Sequence, residues 1–203
     1  MIRALLKRFD RLLCKLYGIY IFSDAPECVI RLQRGKAPHR LSLSGQTIQP
    51  GEPVLIIHFW NDHLPPLPAG GPDLVWAKKS ERLFLRSLQD VAFYVNHNPA
   101  LDGVRAIGGT TIILYSAHSD SGERIIRRLG FTAQPHRGKL GRFGNFIDNL
   151  YSWVLIWTYN PQGLSYHQLE TFRRTDIWIS REDFLKRFAV KIPEHLQEIS
   201  ETT

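Results

Sequence analysis

The sequence predicts an α+β fold: a single domain on a mixed, mostly antiparallel sheet with packed helices and an N-terminal amphipathic helix. Three observations carry this. Short apolar, β-branched runs bounded by Gly, Pro and Ser recur between residues 28 and 60 and between 104 and 115. Apolar stripes at helical spacing cover 2–17 and 73–95, and a further helix is expected over 119–129. The 203 residues, 43% hydrophobic and 22% charged, suffice for one core and exclude a disordered or fibrous chain. The expected layout is a helix over 1–20, the α+β domain over 21–190 and a polar tail over 191–203.

Ile2, Leu5, Leu6, Phe9, Leu12, Leu13, Leu16 and Tyr17 recur three and four apart, predicting a helix that Gly18 stops. Cys28–Gln33, Arg40–Leu43, a turn at Ser44-Gly45 and Pro53–Trp60 predict a β-meander. Val54–Trp60 is apolar on both faces, as in a central strand, with His58 on the face of Val54, Ile56 and Trp60. Six of the eight residues from Pro65 to Pro72 are Pro or Gly, so that stretch is a stiff connector. Asp73 then caps a helix to about Val95, carried by Trp76, Leu83, Phe84, Leu88, Val91 and Val95. Val104–Ile107 and Thr110–Tyr115 predict short strands around Gly108-Gly109, which is assigned to a turn or bulge because the phosphate-cradling P-loop pattern is missing. A helix follows from Ser119 to Leu129, ended by Gly130. Phe143–Tyr159 fits a helical face and also has strand composition; its length favours helix. Asn160–Gly163 stops it, Thr175–Ile179 forms a strand, and Ser180 caps a helix over Arg181–Phe188 with Asp183 at the third position.

The formal charge of +7 is concentrated in two places. Residues 2–17 carry Arg3, Lys7, Arg8, Arg11 and Lys15 against Asp10, and 123–142 carry Arg124, Arg127, Arg128, Arg137, Lys139 and Arg142 against Glu123, which leaves the rest slightly acidic. A basic amphipathic helix suits an anionic membrane surface; the alternative is a helix packed on the core with a solvated basic face. The second segment suits an anionic ligand, RNA or phosphate, with Phe131 and His136 as stacking groups. No nucleic-acid module frames it, so nucleic acid ranks below an anionic lipid or glycan precursor as the expected partner. No run reaches the roughly 18 apolar residues of a membrane span, and charges interrupt any signal-peptide core. A cytoplasmic protein, peripheral on the inner membrane, is expected. Cys14 and Cys28 suggest neither a disulfide framework nor zinc, and no metal or cofactor is predicted.

The candidate chemical site is His58-Phe59-Trp60-Asn61-Asp62-His63, where the central strand opens into a loop. His58 with Asn61 or Asp62 offers a general base and its orienting group, His63 a second imidazole. The His-x4-His spacing is not a recognised metal-ligand spacing, and the bland alternative is a buried His beside a turn. Ser116-Ala-His118-Ser-Asp120-Ser121 contains hydrolase residue types, but a helix cap explains them more cheaply.

These residues carry a resemblance. Ser44-Gly45, Pro50-Gly51-Glu52-Pro53-Val54, then His58 and Asn61 resemble the core pattern of the YkoP-like domain, a bacterial family. Gly109-Thr110, Leu129-Gly130-Phe131, Asn160-Pro161-Gln162-Gly163 and Trp178-Ile179-Ser180-Arg181 agree in order, so the resemblance spans about residues 5 to 190. It implies an envelope-polysaccharide context, with an envelope polysaccharide enzyme as a protein partner; the expected role is a non-catalytic accessory or binding protein at the cytoplasmic membrane face or in envelope polysaccharide metabolism. Polysaccharide deacetylase motifs are missing, so that chemistry is not carried over. A second similarity, of the strand, helix and Leu129-Gly130-Phe131, is to the C-terminal half of N-acetyltransferases. It implies an acyltransferase-like alternative with His58 as base, although their pyrophosphate loop is absent.

Overall fold

The computed structural model describes residues 2–111, 121–136, 141–162 and 174–189, with side chains for all of these except 2–3, 121–122 and 141–148. The element order is α1 (Ile2–Leu16), β1 (Ile19–Tyr20), β2 (Ile30–Lys36), β3 (Leu41–Leu43), β4 (Gln46–Ile48), β5 (Pro53–Phe59), α2 (Leu74–His97), β6 (Ala106–Thr111), α3 (Ser121–Arg128), β7 (Thr132–Pro135), α4 (Gly141–Tyr159), β8 (Thr175–Ser180) and α5 (Arg181–Phe188). The α+β expectation holds. The expected tail over 191–203, the stretch Ser116–Asp120 and the strand residues beyond Thr111 lie outside the described residues.

Local chemistry sets the ends of these elements. Gly18 leaves α1 at φ 68, a left-handed conformation that glycine adopts without steric cost. The Asp73 carboxylate accepts from the Trp76 N–H at 2.7 Å, and Ser180 Oγ accepts from the Asp183 N–H at 3.1 Å, as helix caps. Length decides the ambiguous stretch: α4 is a 19-residue helix.

The main sheet runs β1-β2-β5-β6-β8-β7, with β5 and β6 parallel and every other pair antiparallel. Two expectations are corrected. The segment from 28 to 60 is not a plain meander: β5 pairs directly with β2, and β3–β4 leave the sheet as a hairpin of their own, turned by Ser44 (φ 41) and Gly45 (φ 80). The hairpin folds over because its Leu41, Leu43 and Ile48 bury against Val54, Ala106 and Trp178. Nor are Gly108 and Gly109 a turn or bulge; both lie inside β6. A Cβ on Gly108 would meet the Ile177 carbonyl oxygen at 2.1 Å, and one on Gly109 the Ile57 carbonyl oxygen at 2.6 Å. The pair of glycines serves close backbone approach.

Strand alternation divides the sheet into two faces. Ile30, Leu32, Leu55, Ile107, Ile177 and Ile179 face the main core with Leu88, Val91 and Val95 of α2 and Phe184 and Phe188 of α5. Each of these side chains contributes about 2 kcal/mol by leaving water. The opposite face is apolar only beneath the β3–β4 hairpin. Toward the far ends of β5 and β6 it turns polar, and there α1 lies across it beside α4.

Candidate functional site

The strand end after β5 is tied down by its neighbours. His58 Nε2 lies 2.9 Å from Gln33 Oε1, while Gln33 Nε2 donates to the Tyr17 carbonyl at 2.7 Å. With its amide so oriented, Gln33 presents only an acceptor, so the neutral His58 ring carries its proton on Nε2. Burial, and then the charge of Arg31, lower the His58 pKa to about 4. Gln33 thus takes the orienting place that sequence reasoning gave to Asn61 or Asp62. Asn61 sits in the turn after β5. Asp62 pairs with Lys7 at 2.9 Å, and His63 stacks on Trp60 at 3.6 Å between ring centroids while its Nδ1 meets the Cys28 carbonyl at 2.8 Å.

Beneath α1 lies a buried polar cluster that sequence reasoning missed. Asp10 is 4% exposed and accepts from the phenols of Tyr151 (2.8 Å) and Tyr159 (3.0 Å). The Arg31 guanidinium stands 3.7 Å from Asp10 and donates to Cys14 Sγ at 3.1 Å, while its Nε is buried with no partner among the described residues. Burial and the Asp10 charge push both phenols far above the ordinary tyrosine range, and burial raises the Cys14 thiol against the opposing pull of Arg31. The two phenols are held un-ionised and donate their protons to Asp10, while the Cys14 sulfur accepts from Arg31. The available signal was Asp10 itself, the one acidic residue in a basic helix.

The helix is therefore inverted relative to a core-packing amphipath. Its polar residues Asp10, Cys14 and Lys7 face the body, and Lys7 also lies 4.7 Å over the Tyr159 ring. Leu5 (67%), Phe9 (50%), Leu12 (61%) and Leu16 (77%) face out, within about 60° of one another around the axis. Exposed Arg8, Arg11 and Lys15 flank that stripe on one side. Arg3's side chain is among those not described.

The second basic segment is elsewhere. α3 packs Ile126 into the main core, on the sheet face opposite α1, so Arg124, Arg127 and Arg128 do not share a face with the α1 basic residues. Arg127 pairs with Glu123 at 2.7 Å, and the Arg128 carbonyl accepts from Arg187 at 2.6 Å. Arg137 and Lys139 lie outside the described residues, and the side chain of Arg142 is not described. Among the described residues, no group of three His, Cys, Asp or Glu is placed to hold a metal ion.

A row of polar side chains crosses the second face of the sheet. Register sets Arg31 opposite His58, Thr110 opposite Asp176 and Asp176 opposite Gln134. Asp176 Oδ1 accepts from Thr110 Oγ1 at 2.7 Å and lies 2.8 Å from His136 Nδ1; Gln134 meets His39 at 3.2 Å. The β5–β6 pairing ends at Ile56–Gly108, and where the two strands part there is a cavity of about 220 Å³. Its described lining is mostly apolar, with Ile57, Phe59, Phe84, Ile126 and Ile177, together with His58 and Thr110 from the polar row.

No curated protein and no solved structure matches this chain. One family does: the sequence matches the YkoP domain over residues 1–188. That match takes in α1, every strand of both sheets and α5, so the polar cluster under α1 and the row across the sheet both fall within it. The chain belongs to the YkoP domain family.

Proposed function

We propose that this YkoP domain is a non-catalytic accessory module that seats on an anionic membrane surface through the outer face of α1. The observation that carries it is the outward stripe of Leu5, Phe9, Leu12 and Leu16 beside exposed Arg8, Arg11 and Lys15. A contiguous apolar stripe in water is unfavourable unless something covers it. Its basic flank matches anionic headgroups, at about 1 kcal/mol per cation near the surface. An apolar face together with a basic flank is the two-signal combination that gives stable peripheral binding. Among the described residues no helix is long and apolar enough to cross a membrane, in keeping with a helix lying in the interface. The envelope-polysaccharide setting, with a glycan precursor or polysaccharide enzyme nearby, comes from the family resemblance.

Vesicle flotation tests this. The full chain is expected to float with phosphatidylglycerol vesicles and not with phosphatidylcholine vesicles, and to be released by salt. Flotation that ignores lipid charge, or survives Leu5→Ser with Leu12→Ser, sinks the reading. Self-association driven by the same stripe, seen by light scattering without lipid binding, would make the surface a protein interface instead.

A second reading, an acyltransferase-like activity, is favoured by the cavity between the parting strands. It exceeds the roughly 150 Å³ that holds a benzene ring and touches His58 and Thr110. The start of α2 is already occupied by the Asp73 carboxylate, which repels a diphosphate there, so a donor would be held by its acyl chain. Stabilisation of the fold by an acyl thioester in a thermal-shift series is expected, and its absence counts against this reading.

A further inference from the structure

We propose that His136, oriented by Asp176, is the proton acceptor of an acyl-transfer site on the polar row; this rests on the second reading above. Asp176 is buried with its side chain 6% exposed, whereas the His136 side chain keeps 22% of its surface. Two donors converge on one carboxylate oxygen, Thr110 Oγ1 at 2.7 Å and His136 Nδ1 at 2.8 Å. A carboxylate that accepts from Nδ1–H fixes the tautomer and leaves the lone pair on Nε2, the arrangement of an oriented general base. Among the described residues His136 Nε2 has no hydrogen-bond partner. Thr110 connects the two halves of the site: it is exposed, lines the cavity between β5 and β6, and hydrogen-bonds the carboxylate that holds His136.

His58 is less suited to the task. Its Nε2 proton is committed to Gln33, and its neighbour across the register is a guanidinium that opposes a second positive charge.

The acyl donor is an activated ester or thioester with its chain in the cavity, and the acceptor is a hydroxyl or amine bound on the row. The acceptor oxygen or nitrogen attacks the donor carbonyl as its proton passes to His136 Nε2, and Asp176 stabilises the resulting imidazolium. The bond from the carbonyl carbon to the leaving oxygen or sulfur breaks, and the imidazolium returns the proton to that leaving group. The products are the acylated acceptor and a free alcohol or thiol, with no oxidant or metal consumed.

The experiment uses the full chain with p-nitrophenyl esters of rising chain length as donors and water as acceptor. Release of p-nitrophenolate is expected to saturate, to exceed that by free imidazole, and to favour the chain that fills the cavity. His136→Gln is expected to lower the rate at least about tenfold, while His97→Gln, at the far end of α2, leaves it unchanged. Asp176→Asn tests positioning: ring-nitrogen NMR of His136 is expected to show loss of the single Nδ1–H tautomer, with the melting curve checking the fold. A chain-length preference that survives intact in His136→Gln overturns the base assignment and leaves the acyl reading standing. A wild-type rate no greater than that of imidazole, with no chain preference, overturns both.

Discussion

Arg31 and His58 stand opposite one another in the antiparallel register of β2 and β5, a fixed cation facing an imidazole on the same side of the sheet. Both are largely withdrawn from water, so the sheet tolerates one positive charge at that rung and resists a second.

That resistance predicts an acid-side loss of stability. A histidine with its folded pKa lowered from 6.5 to about 4 contributes stability that is complete above pH 6.5 and disappears as the pH falls through 4. The difference amounts to about 3 kcal/mol. Urea melts of wild type and His58→Gln between pH 7 and 4 are expected to converge toward acid, with the variant losing less. Parallel pH profiles would remove His58 as the cause.

The ion pair beneath α1 predicts a contrast between two aspartates. Asp10→Asn leaves Arg31 buried without its counter-charge and is expected to cost about 3 kcal/mol. Asp62→Asn breaks a bridge to Lys7 whose partners are 37% and 35% exposed, and is expected to cost less than about 1 kcal/mol. Chemical denaturation of the two variants at neutral pH checks the order.

Gly108→Ala is expected to cost about 4 kcal/mol or more, because the added methyl would sit inside contact distance of both the Ile177 carbonyl and the Trp178 ring. Gly103→Ala, with nothing near its Cβ, is the control. Soluble yield and melting temperature separate them.

On the outer face of α1, Leu12→Ser is expected to change stability by under about 0.5 kcal/mol, since the side chain touches water already. The same change is expected to weaken binding to anionic vesicles by about tenfold or more. Equal losses of stability and binding would show that the leucine packs on the body.

Much of the fold could be read from residue types alone. Gly18, Asp73 and Ser180 mark helix ends by chemistry that acts within a few residues, and the helices they bound stand where expected. The faces of the sheet could not be read this way. Arg31, His58, Thr110, Gln134 and Asp176 come from five strands, and only strand register brings them into one row. Gly108-Gly109 carries the composition of a turn, and its true role depends on backbone far away in the chain, Ile177 against Gly108 and Ile57 against Gly109. In α1 the periodicity shows a stripe but not which side of it meets the body. Burial of Asp10 by two tyrosines from α4 decides that, and no local pattern records their distance. The segment His58–His63 was located correctly as a strand end, yet its partners, Gln33, Lys7 and the Cys28 carbonyl, all come from earlier in the chain.

The two-sided character of α1 has a mechanical consequence. Lifting the helix would strand a guanidinium in a dry site, so Ile2–Leu16 does not behave as a tethered arm. If a surface takes hold of Leu12, as proposed above, it would take hold of the whole body and fix the tilt of the sheet with it. A truncation that removes Asp10 would also remove the counter-ion of a buried arginine, so it would test folding before it tested attachment.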